Sequence, residues 1–517
     1  MTKSFRRRRL VVAAVLGAVL AAAGCTSAVE QADQAAANAA AKEGGTLVVA
    51  QANDAQPESF LSPALGNITA QYAVFETLTL IDTKTGEPKG VLAKSWTMAP
   101  DYKSMDLQLR DDVTFHTGRK MTSADVLYTI QQVQNPANTV GTRFIAEQIA
   151  SATADGDYGV KLTFKRPLPN VFDLFEIMPV VDKETFANYS DGKQVVGTGR
   201  FTWQSWTPGG KLELAKYPGY RDAKGTHLDK IEIQVISDPT AELAAIRSGR
   251  VQYAMSMSAL DTRTVSNEPG YALVESGGAA QSLGFDVTKA PFDNKLVRQA
   301  VHYAIDRDRI VDQVEGGQAE ATSLPWKTST PGYDTKQGEQ YTYQPDKAKQ
   351  LLAQAGDEGA SFTVVVPDIP ESVGIFEIVQ NNLKAVGLNA TAQVVSTTDY
   401  DQRIAQRNLG APAFLMRNSN ALSPASAVVS RPELVADNNN SHFTTPEYTE
   451  AVDAVTSALT PEEQKQALTD YNEYFLDQAF ALPVLTRATL SARSAKVDGI
   501  TSTIQGFINL NTAYLTD

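Results

Sequence analysis

Between residues 281 and 317 the chain reads QSLGFDVTKAPFDNKLVRQAVHYAIDRDRIVDQVEGG, and its hydrophobic pattern changes period within the stretch. Leu283, Phe285 and Val287 alternate with smaller or polar residues, as a half-buried strand does, until Pro291 stops the alternation. Leu296, Val297, Ala300, Val301, Ala304 and Ile305 then recur at helical spacing behind Asp293, the predicted N-cap. Lys295, Arg298, Gln299 and His302 take the wetter side.

Strand and helix patterns interleave along the rest of the chain, which predicts an α/β protein. Residues 46–50 form a continuous apolar run of the buried-strand kind, followed by a polar loop holding Gln56 and Ser59. Met105, Leu107 and Leu109 alternate, as do Val113 and Phe115 and then Val160, Leu162 and Phe164; Thr122 or Ser123 caps a helix between them. Asp238 and Pro239 open a helix, and the strand of residues 251–258 ends in Met257 and Ser258. Later strands are expected at 362–366 and 388–395, with helices at 345–356, 375–386, 446–459 and 461–475. Residues 411–430 carry a weak loop-and-strand pattern, and 482–485 begin a return.

The first 24 residues read as an export signal: Lys3 and Arg6 to Arg9, the 14 apolar residues 10–23, then Ala22-Ala23-Gly24 before Cys25, the only cysteine. Fourteen residues fall short of the roughly 20 that span a bilayer as a helix. Cys25 is therefore the expected lipid attachment point, although Ala22 stands where a lipobox prefers leucine. Residues 25–44 would form the tether, and no thiol would remain for a disulfide. Removing residues 1–24 takes five positive charges from a net charge of −13, leaving −18, which disfavours nucleic acid as a partner. At 517 residues the chain exceeds one compact core.

Catalytic and metal chemistry find little support. The four histidines, His116, His227, His302 and His442, have no i, i+3 or i, i+4 pairing, and no zinc-spaced cluster exists. GxSxG, HExxH and a P-loop are absent; Gly197-Thr198-Gly199-Arg200 lacks the lysine and hydroxyl that phosphate cradling needs. The expectation is a protein that is not an enzyme and carries no cofactor or metal.

Four blocks carry a resemblance: LAKSWTMAPDYKSMDLQLRDDVTFHTGRKMTSADVLYTI from Leu92; VVGTGRFTWQSW with LDKIEIQVISDPTAELAAIRSGRVQYA; LGFDVTKAPFDNKLVRQAVHYAIDRDRIVDQVEGG; and YQPDKAKQLLAQAG. In this order they resemble the extracytoplasmic solute-binding proteins of peptide-type ABC importers, family 5, the dipeptide, oligopeptide and nickel group. The resemblance implies an α/β, two-lobed periplasmic-binding-protein-like fold of the class II type. Lobe I would hold 45–283 and 486–517, with an extra subdomain inserted at about 82–200, and lobe II 284–485. The crossings would lie near Leu283 to Asp286 and Val484 to Arg487. It also implies the partners of such a clamp: a small-molecule or peptide ligand, and an ABC permease with its ATPase, the binding protein itself acting as a monomer lipid-anchored at the cell membrane.

The resemblance also marks where ligand chemistry departs from the peptide binders. Asn420 falls about where they place an aspartate for the peptide amino group, and Val366 where they place an arginine for the carboxylate. Arg417 stands where the pattern often has tryptophan, and is the expected anion contact, with Asn418 beside it. Further wall candidates are Gln56, Ser59, Met257, Ser258, Trp203 and Trp326; Trp206 is assigned to framework. A ligand other than a peptide (siderophore, oligosaccharide, metal chelate) and a lipoprotein acting as regulator or scaffold remain the alternatives.

Overall fold

The computed structural model describes residues 41–61, 65–138, 141–419 and 422–516, so the export signal, Cys25, most of the tether and Asn420 lie outside the described residues. The apolar run after Gly45 forms β1 (Thr46–Gln51), and α1 (Ile68–Val74) follows its loop. The alternating segments build a four-stranded antiparallel sheet from β2 (Ala93–Met98), β3 (Ser104–Leu109), β4 (Ile149–Asp155) and β5 (Gly159–Phe164), in the order β2-β3-β5-β4. Against it lies α2 (Ser123–Gln134), opened by Thr122 in a capping box with Asp125, and α3 (Val171–Ile177) comes next. The chain continues through β6 (Phe201–Thr207), β7 (Lys211–Lys216), β8 (Lys230–Val235), α4 (Pro239–Arg247), β9 (Tyr253–Ala254) and α5 (Ala259–Ser266). It then crosses on the long strand β10 (Tyr271–Phe285).

The second lobe holds α6 (Lys295–Ala304), β11 (Ser361–Pro367), α7 (Pro370–Ala385), β12 (Asn389–Val395), β13 (Ala413–Ser419) and α8 (Pro424–Ala427), and the chain returns on β14 (Ala481–Ser494). One sheet runs through both lobes in the order β12-β11-β13-β10-β14-β9-β1-β8-β7-β6. Its continuity rests on β10 and β14, which pair from Tyr271 opposite Ser494 to Gly284 opposite Ala481, with a register break between Ser276 and Ala279.

Two large apolar cores divide along these strands. Val274 packs with Leu47, Val49 and Phe201, in a core continuous with Met105, Leu107, Val160 and Leu162 of the four-stranded sheet. Leu283, Phe285, Leu482, Val484 and Leu485 instead pack with Val297, Val364 and Ile375 of the second lobe. Strand direction then sets what faces what. β1, β8 and β9 run parallel and end toward the second lobe, whereas β13, antiparallel to β10, ends toward the first. The loops beyond these carboxyl ends oppose one another, where open α/β sheets bind ligands.

Two local expectations change. Asn294, not Asp293, caps α6, its side chain accepting from the Leu296 N–H at 3.0 Å. Val113 and Phe115 are buried but flank a single bridge between Thr114 and Lys120 rather than forming a strand. The glycine turn before β6 serves packing: a Cβ on Gly197 would lie 1.9 Å from the Val74 carbonyl oxygen.

Candidate functional site

The first-lobe rim is built by buried polar side chains that fold loops over the ends of β1 and β9. Gln51, 4% exposed, donates to the carbonyls of Asn53 (2.8 Å) and Gly66 (2.9 Å) and accepts from Thr69 Oγ1 (2.7 Å), closing the loop between them. Asn67 grips the backbone of Gln56, N–H to Oδ1 and Nδ2 to carbonyl, each 2.8 Å, and leaves the Gln56 side chain exposed. Ser59 is half-buried, with its N–H on the Gln56 carbonyl at 2.9 Å.

Glu242 on α4 organises the second rim loop. Its carboxylate accepts from the N–H groups of Met255 (2.7 Å) and Ser256 (3.0 Å), and burial pushes its pKa up to about 7. Ser256 Oγ in turn accepts from the Ala52 N–H at 3.1 Å, tying the two loops together. Met257 is buried in the small core with Ile236 and Val265. Ser258 caps α5, its Oγ accepting from the Asp261 N–H (3.1 Å) and donating to Asp261 Oδ2 (2.7 Å). Both side chains are thus committed to structure.

The second-lobe rim carries the charge. Gln281 on β10 lies opposite Arg417 on β13, and its Nε2 donates to Glu371 Oε1 at 2.7 Å. Glu371 stands in the first turn of α7, where the helix dipole favours a carboxylate. Arg487 of β14 donates to Glu371 Oε2 (2.9 Å) and to Glu315 Oε2 (3.0 Å). Glu315 is wholly buried, and burial raises its pKa, with the neighbouring Glu371 charge adding to the rise against the pull of Arg487. For Glu371 burial also pushes upward, but the Arg487 charge, hydrogen bonding with Glu315, the Arg417 charge and the Gln281 hydrogen bond together outweigh it and hold the carboxyl below its ordinary range. Arg417 is exposed beside this network, with no ion pair to a described residue. Asn418 pairs with Ala280 through its backbone, while its buried Nδ2 has no hydrogen-bond partner among the described residues.

Two aromatic candidates leave the wall. Trp203 packs edge-on to Phe60 in the first core and donates its indole N–H to the Gly192 carbonyl at 2.7 Å. Trp326 packs on Tyr471 in the second core and donates to Asn472 Oδ1 at 2.8 Å. Each indole is filled on its apolar and its polar side, so neither is available to a ligand. Trp206, read as framework, donates to Asp54 Oδ1 at 2.9 Å. The clustering of Gln281, Glu315, Glu371 and Arg487 had no sequence signal, because only the packing of a helix start and a loop against two paired strands brings them together. Among the described residues no group of three His, Cys, Asp or Glu is placed to hold a metal ion, and no helix is long and apolar enough to cross a membrane.

The sequence pattern of the bacterial extracellular solute-binding proteins, family 5 (middle region), matches residues 87–440. A putative ABC transporter peptide-binding protein of Brucella ovis is 25% identical over 421 residues, covering 77% of this chain and 79% of the relative. The ABC transporter-associated periplasmic binding protein DppA of Helicobacter pylori, solved with the peptide STSA, superposes with a TM-score of 0.77 at 21% identity, over 92% of this chain and 99% of that one. NikZ of Campylobacter jejuni, solved with Ni(L-His), gives a TM-score of 0.74 at 21% identity, over 89% and 96%.

Proposed function

This chain belongs to the bacterial extracellular solute-binding proteins of family 5, and on that premise we propose that it captures a peptide or peptide-like solute between its lobes and passes it to an ABC permease with its ATPase. Lipid on Cys25 would hold it at the outer face of the cell membrane, within reach of that permease. The observation that carries the reading is the opposition of two loop rims across a pair of crossing strands, β10 and β14. Contacts made better with the lobes together than apart are what would drive closure.

In this reading the hinge is the register break between Ser276 and Ala279 and the facing span from Arg487 to Thr489, some residues to the first-lobe side of Leu283 to Asp286. Leu283 and Phe285 support that placement, since they pack in the second core. Arg417 is the proposed anion contact: it is exposed at the rim, and Glu371, whose carboxyl feels its charge, already accepts from Gln281 and Arg487. Asn418 Nδ2 supplies a second donor next to it. Both favour a solute carrying a carboxylate or carbonyl.

The test is a thermal-shift screen of the chain from Thr26 onward against peptides, metal chelates, oligosaccharides and siderophores. A rise with peptides supports the reading; a rise confined to another class replaces the ligand, and none with any class favours a regulator or scaffold.

A further inference from the structure

We propose that Asp173 is a positioning residue for ligand capture: a first-lobe carboxylate that clasps the segment directly following Arg417 and Asn418, so that closing the lobes and placing those contacts become one event. This rests on the capture reading above. Asp173 lies on α3, whose Val171, Leu174 and Phe175 belong to the first core. Its Oδ2 accepts from Ser423 Oγ at 2.6 Å and from Ser426 Oγ, both of the second lobe, while Oδ1 accepts from Gln505 Nε2 of the first at 3.2 Å. Asn170, one residue before α3, donates its Nδ2 to Ser426 Oγ at 2.8 Å. Ser423 is also the N-cap of α8, so the clasp grips a structured turn. Next to it Leu422 packs across the lobe boundary on Tyr72, Ile177 and Phe507.

The chemistry suits a reversible contact. Asp173 is 4% exposed, and no ion pair to it is present among the described residues. A carboxylate out of water must be met by donors. Here the donors are neutral, and two of the three leave with the second lobe. Opening would return Asp173 to water, which replaces the lost serine bonds and keeps the exchange close to balanced. A full ion pair would hold harder, and an apolar contact would carry no direction. Ser423, the first residue the clasp holds, is only five positions after Asn418 in the chain, so little chain separates it from the proposed ligand contacts.

The experiment is single-molecule energy transfer on the chain from Thr26, which has no cysteine of its own, labelled at the exposed positions Lys224→Cys in the first lobe and Glu358→Cys in the second. Asp173→Ala is expected to shift the closed-to-open ratio at least tenfold toward open. The Ser423→Ala/Ser426→Ala variant, which touches no core side chain of the first lobe, should do the same, the combination should add nothing further, and Asp173→Asn, which keeps an acceptor oxygen, should recover part of the closed population. Wild-type ratios in both Asp173→Ala and the serine variant would overturn the clasp while leaving capture intact. A single distance in every variant, with and without a tryptic digest of casein, would overturn both.

Discussion

Arg487 is the only described cation that meets Glu315, a wholly buried carboxyl, and it holds Glu371 with its other nitrogen. Removing one partner from such a buried network leaves an unpaired charge behind, which costs about 3–5 kcal/mol. Arg487→Met is therefore expected to lower unfolding stability by that order in urea titration, and Glu315→Gln added to it should restore a part. Arg417 makes the opposite prediction. Because it is exposed and forms no ion pair among the described residues, Arg417→Ala should change stability by less than about 1 kcal/mol while weakening binding of the ligand identified by screening. A lost charged hydrogen bond of about 1.5–3 kcal/mol corresponds to roughly 10- to 100-fold in affinity, read by calorimetry. At this scale sequence and structure diverge most. Arg417 was legible as a departure from a family pattern, with Asn418 beside it, but a tryptophan's type cannot say whether its ring meets a core or a cleft, as Trp203 and Trp326 show. Glu371 was not legible at all, because its partners Gln281 and Arg487 are 90 and 116 residues away in the chain.

Elements were easier to read, since each is set by local period and caps. The predicted helices and strands of the second lobe recur within a few residues, and the largest shift is α7, which starts at Pro370 rather than 375 because Pro and Glu suit a first turn that carries no apolar pattern. What local pattern does not announce is a position fixed by an approaching backbone. Gly277 in β10 has φ of +46°, and a Cβ there would lie 2.8 Å from the Gly506 Cα. Gly277→Ala is expected to cost about 1–3 kcal/mol of stability, measurable as a lower melting point, since both strain and collision fall on backbone. The rim loop after β9 gives a pH prediction. The Glu242 pKa is raised from an ordinary 4.5 to about 7 by burial, so the folded protein holds a proton that the unfolded chain releases between those values. Its contribution to stability is full below about pH 4.5 and is lost as pH rises through about 7. Glu242→Gln should reduce the slope of that part of the stability profile, to which the raised Glu315 also contributes, while keeping an acceptor for the Met255 and Ser256 N–H groups.

At the scale of the whole molecule, two cores share one sheet and communicate through two strands. Dense packing resists deformation within a lobe, which is why the proposed hinge is placed at the register break between Ser276 and Ala279 of β10 and the facing span of β14. The two-lobed α/β fold was legible from four sequence blocks because they carry framework residues; the ligand was not, because the rim residues proposed to face it are set by how the lobes meet. The central claim, capture of a peptide-like solute between the lobes, is tested most directly by the melting point of the chain from Thr26 in a peptide series. A ligand at 100 times its Kd stabilises the native state by about 2.7 kcal/mol, so the account predicts a concentration-dependent rise with particular peptides that Arg417→Ala diminishes. An unchanged melting point across the whole peptide series would contradict it.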